Sequence, residues 1–137
     1  MKIVAGIFGG LLMAIVGLIL ISIILSTTES SGGIANISFL VLWVTGIVMA
    51  VRSERAGKAW KKLLMTSGIL LFLYPIAGII FSIGYMFMDA PTAEDQAYQV
   101  AGGFIGGGAI TITLAIIGFF LGAIFMIIGI QVGKDKR

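Results

Sequence analysis

Charged residues cut the chain into four long uncharged stretches, 3–28, 30–51, 63–88 and 96–133. Each contains an apolar core of about 20 residues, enough to cross roughly 30 Å of hydrocarbon at about 1.5 Å per residue of helix. The pattern predicts transmembrane helices over 3–26, 34–51, 63–88 and 99–131. Pro75 lies inside the third. It has no backbone N–H to donate to the Leu71 carbonyl, so a kink is expected there. The fourth stretch would make a helix of roughly 50 Å, longer than a bilayer core requires, so it tilts, projects or breaks.

Composition agrees with this reading. The 137 residues suit a single domain, 1–137, and are 59% hydrophobic but only 11% charged. The mean hydropathy is +1.16. A soluble domain of this size needs far more charged surface. The fold class expected is all-α integral membrane, a compact bundle of four antiparallel transmembrane helices. Lys2 followed by an apolar run looks like the start of a signal peptide. That run is too long for a signal core, and Leu25-Ser26-Thr27 lacks a small-x-small cleavage site, so it reads as an uncleaved anchor.

The charges also predict an orientation. All nine basic residues fall on one side of the four spans: Lys2; Arg52, Arg55, Lys58, Lys61 and Lys62; Lys134, Lys136 and Arg137. The opposite side carries Glu29, Asp89, Glu94 and Asp95 and no cation. The positive-inside rule then places both termini and the 52–62 loop in the cytoplasm, N-in and C-in. A prokaryotic inner membrane fits best. Arg52, Arg55, Lys58, Lys61 and Lys62 are expected to meet anionic lipid or an acidic partner, with Trp60 at headgroup level. The loops are too short for a separate domain, and no nucleic acid is expected as a partner.

Glycine is concentrated at 102–108, where Gly102, Gly103, Gly106, Gly107 and Gly108 fall within seven positions. A phosphate loop would continue with Lys and then Ser or Thr, whereas Ala109 and Ile110 follow here. Close helix packing explains the cluster better. Apolar side chains give helices in lipid little reason to associate, and small residues at four-residue spacing let backbones approach. Gly102/Gly106, Gly103/Gly107 and Gly118/Gly122 have that spacing, with Ala115 between them. Gly6, Gly10, Ala14 and Gly17 form a similar face in the first span. These faces are expected to be buried, against each other or against a second copy.

No charge lies inside any span, which argues against a proton-coupled carrier. Trp43, Thr45, Tyr74, Thr111 and Thr113 are the neutral polar candidates for a small cavity. Hydrogen bonds within and between helices are the simpler account of them. Cysteine and histidine are absent, which removes thiolate and imidazole ligands and the commonest general base. No cofactor, metal or catalytic residue is expected.

The leading functional expectation is a non-catalytic accessory or assembly subunit, joined to other membrane-protein subunits or to itself by helix contacts. A small oligomeric channel for an ion or neutral solute is the alternative. A membrane enzyme using Tyr74 with the outer carboxylates comes third.

Overall fold

A computed structural model describes residues 2–26, 31–88 and 91–134, with backbone alone at 31 and 32. Glu29, Asp89, Lys136 and Arg137, which enter the charge argument, lie outside the described residues. The chain is helical, with α1 over Lys2–Leu25, α2 over Ser31–Val51, α3 over Ala56–Phe72, α4 over Tyr74–Met86 and α5 over Ala93–Val132. α3 and α4 follow one another closely and together make one 31-residue segment, Ala56–Met86. Four helical segments are therefore long and apolar enough to cross a membrane.

The third span divides next to its proline. Pro75 stands in the first turn of α4, where a missing N–H is tolerated. Leu73 joins the two helices with φ −83° and ψ −9°, and its N–H donates to the Leu70 carbonyl at 3.1 Å.

α5 runs unbroken for 40 residues, straight through the glycines of 102–108. It starts six residues before the predicted 99. Thr92 is its N-cap, and the Thr92 hydroxyl oxygen accepts the Asp95 N–H at 3.1 Å. Glu94 and Asp95 sit in the first turn, where negative charge complements the helix dipole. Thr92-Ala93-Glu94-Asp95 resembles a capping box, a start signal in the sequence that apolar patterning overlooks. At about 60 Å the helix exceeds a hydrocarbon core, and its polar first turns lie past the end of α4.

The packing is more open than a closed bundle. α1 packs on α2, α3 and α4, and α2 also touches α3. α5 packs only on α3 and α4, and among the described residues its backbone stays apart from α1 and α2. Lipid solvates exposed apolar faces as well as another helix would, so a fourth side need not close. One buried cluster joins Ala5, Met13, Ala50, Ala59 and Leu63 near the basic end. A second joins Val16, Leu20, Leu71, Tyr74 and Ala77 further along.

Candidate functional site: glycine faces and polar side chains

The small-residue faces of α1 and α5 each have their own partner and do not meet. On α1, a Cβ at Gly6 would stand 3.0 Å from the Ala50 Cβ, and one at Gly10 would stand 3.2 Å from the Trp43 carbonyl oxygen. Ala14 is fully buried on the same helix, and Gly17 lies under the Leu42 side chain. α2 answers with its own glycine: a Cβ at Gly46 would come within 2.5 Å of the Gly10 Cα. Gly9 faces the other way, against Leu63 and the ring of Trp60. Trp60 is accordingly half-buried between α3 and α1. Gly9 was overlooked because it falls outside the four-residue series of Gly6 and Gly10.

On α5 the buried glycines are Gly103, Gly107, Gly118, Gly122 and Gly129. Gly103 and Gly107 pack on Ser82, whose hydroxyl donates to the Gly103 carbonyl at 2.7 Å. Gly122 and Gly68 approach each other, each with the other's carbonyl oxygen about 3 Å from its would-be Cβ. Gly118 faces the Leu71 carbonyl and the Cβ of Tyr74. Ala115 is half-buried. Gly102 and Gly106 do not join the face that packs inside the chain. Both are exposed; Gly106 has no heavy atom within 4 Å of a would-be Cβ, and Gly102 only the Tyr85 ring edge at 3.7 Å. Two interleaved four-residue series run through 102–108, and spacing alone does not say which one turns inward.

The neutral polar side chains bond to backbone oxygens in separate places. The Trp43 indole donates to the Ile7 carbonyl at 3.3 Å, joining α2 to α1. The Tyr74 hydroxyl donates to the Val16 carbonyl at 3.0 Å, joining α4 to α1. Thr45, Thr111 and Thr113 each donate to the carbonyl four residues earlier, on Val41, Gly107 and Ala109. Trp43 and Thr45 lie on α2, and Thr111 and Thr113 lie on α5, which α2 does not touch. The five residues therefore do not line one cavity within a single chain. The open grooves are apolar. One of about 400 Å³ is lined by Leu18, Ile19, Ser22, Ile23, Phe81 and Ile110 among others. Another, of about 410 Å³, runs between α4 and α5 beside Ser82, Phe104 and Thr111.

The basic segment is largely helical. Lys58, Lys61 and Lys62 stand in the first two turns of α3, while Arg52 and Arg55 lie in the short connection before it. Lys58 pairs with Glu54 and, by hydrogen bond and charge, holds the Glu54 carboxyl below the usual range. Compared with known protein families, curated proteins and solved structures, the chain matches none of them.

Proposed function

We propose that this protein is a non-catalytic assembly subunit of a multi-pass membrane complex or homo-oligomer, associating through the outward small-residue face of α5. The carrying observation is the division of the α5 glycines. Gly103, Gly107, Gly118, Gly122 and Gly129 are occupied inside the chain, whereas Gly102 and Gly106 are bare and open. Ala109 and Thr113 continue that open face along the helix and are also exposed. Bare backbone facing lipid forgoes contacts that a neighbouring helix would supply at this spacing. The concentration of cations at one end supports a cytoplasmic-membrane location with both termini on the cytoplasmic side.

The test is the mass of the protein–detergent complex, and of anything co-purified, for wild type and for Gly102→Leu/Gly106→Leu. The reading expects a dimer or larger assembly, or a stoichiometric partner, that the double substitution releases. A wild-type monomer without any bound subunit in mild detergent and in lipid nanodiscs overturns it.

A further inference from the structure

We infer that the surface where the end of α5 meets the start of α3 binds the phosphate headgroup of an anionic phospholipid, through Lys61, Lys62 and Lys134. The inference needs only that the chain spans a bilayer and is independent of the assembly reading.

Three observations carry it. First, the cations are gathered on one side of one element. Lys58, Lys61 and Lys62 follow at three- and four-residue spacing on α3, which places them on a common face. Ala59 and Leu63, on the opposite face, are fully buried in the cluster with Ala5, Met13 and Ala50. The charged face is thus presented by two turns that the core holds in place.

Second, the end of α5 meets this part of α3. Gly133 closes α5, and a Cβ there would stand 3.1 Å from both Cβ and Cγ of Lys61. A glycine at this position lets the Lys61 stem lie along the helix end. Lys134 follows immediately and is exposed. The stem of Lys61 is half-buried, the arrangement in which a lysine keeps its methylenes in apolar surroundings and its ammonium at the interface.

Third, cations outnumber carboxylates at this end, nine against two: Glu54, which pairs with Lys58, and Asp135, which lies outside the described residues. Lys61, Lys62 and Lys134 are then available to a headgroup layer, where each cation near an anionic surface adds to the attraction. Two other cations of this end lie elsewhere, as Lys2 begins α1 and Arg52 follows α2, and neither helix packs on α5; Arg55, the N-cap of α3, stands beside the proposed site. The structure therefore places the preference on the α3–α5 side, where a uniform basic rim would spread it around the protein.

The experiment reconstitutes the full chain in phosphatidylcholine bilayers containing a trace of spin-labelled phosphatidylglycerol or spin-labelled phosphatidylcholine. The fraction of motionally restricted label is read for each. About a fivefold preference for the anionic label is expected at physiological salt, screened toward unity in molar salt. Lys61→Gln/Lys62→Gln/Lys134→Gln abolishes it, Lys61→Arg/Lys62→Arg/Lys134→Arg keeps it, and Lys2→Gln/Arg52→Gln leaves most of it. Equal restriction of the two labels around the wild-type protein overturns the inference without any substitution being needed. A preference lost equally with Lys2→Gln/Arg52→Gln also overturns it, as that marks a diffuse rim. Millimolar inorganic phosphate separates the two sources of the ligand: displacement of the label by phosphate at constant ionic strength assigns the lysines to a free anion and rejects the lipid.

Discussion

The Leu71 carbonyl oxygen faces Gly118 at the spot where any larger residue would place its Cβ. Pro75, four residues after Leu71, cannot donate to that oxygen, so the proline of one span and the glycine of another belong to one device. The Gly118 Cα–H takes the place a side chain would fill, and such Cα–H···O contacts recur where helices meet closely. The obstacle is main chain, which cannot swing aside as a side-chain tip can. Gly118→Ala is expected to destabilise the protein by about 1–3 kcal/mol, as overpacking does. The Leu71 oxygen already accepts a backbone N–H at the end of α3, and Pro75→Ala offers it a second donor four residues on, so the double variant should lose less than the sum of the two singles. Reversible unfolding in mixed micelles measures all three. Additive losses would show that the two positions act separately.

Gly46 and Gly10 bring α2 and α1 to backbone contact, and nothing flexible stands between them. Gly46→Leu is expected to push these two helices apart and to remove the indole hydrogen bond from Trp43 to Ile7, which crosses one turn away. A loss of at least about 2 kcal/mol is expected from a misfit this large. A blue or red shift of the tryptophan emission should accompany it. Unchanged stability and emission would mean that α1 and α2 meet in some other register.

The two kinds of hydroxyl in the spans should behave differently. Tyr74 is buried and its bond to Val16 joins two helices, so Tyr74→Phe is expected to cost about 0.6–1.7 kcal/mol. Thr113 is exposed and bonds within its own helix, so Thr113→Val is expected to be within about 0.5 kcal/mol of wild type. Equal losses in the two variants would contradict this division.

Glu54 offers a readout outside the membrane-spanning helices. Its carboxyl is held below the usual range first by the hydrogen bond from Lys58, then by the charges of Lys58, Arg55 and Lys62. A lowered folded value means that the contribution to stability is present above the unfolded pKa and fades as pH falls through the folded one. The pair is exposed, so solvent screening keeps that contribution small. Carbon-detected titration of Glu54 should show the midpoint rising toward the ordinary glutamate value in Lys58→Gln. A midpoint unmoved by that substitution would rule out Lys58 as the main cause.

The number of spans could be read from the sequence because it depends on charge spacing and length alone. Lys2 and Arg52 fall at helix ends, whereas Lys62 marks the start of the apolar run and not of α3, which begins at Ala56. The division of the third span was likewise signalled by Pro75, since a missing N–H acts locally. Helix adjacency was not legible. Gly6 and Gly10 announce a close approach, but the partner could be any helix with a matching small residue, and Gly46 is no more conspicuous in sequence than Gly78. In the same way, Gly103 and Gly106 look alike until the rotation of α5 is fixed by Ser82 and Leu71 on its neighbour. The polar residues were harder still. Tyr74 and Thr113 are both isolated hydroxyls in apolar runs, and only the position of Val16 across the interface separates a bond between helices from one within a helix.

The open face of α5 allows folding and association to be pulled in opposite directions by one methyl group. A Cβ at Gly106 meets nothing within the chain, so Gly106→Ala adds helix propensity without a clash. The isolated subunit is expected to gain up to about 1 kcal/mol from this change. The same methyl stands where a neighbouring helix would bring its backbone in assembly, and there it should weaken the contact. Gly107→Ala, one residue away, should instead lower the stability of the subunit itself, because that Cβ collides with Ser82. Unfolding measured at high detergent dilution reports on the subunit, and energy transfer between labelled copies or from a labelled partner reports on assembly. The reading requires Gly106→Ala to raise the first and lower the second. If both rise together, the outward glycines of α5 do not form the contact surface.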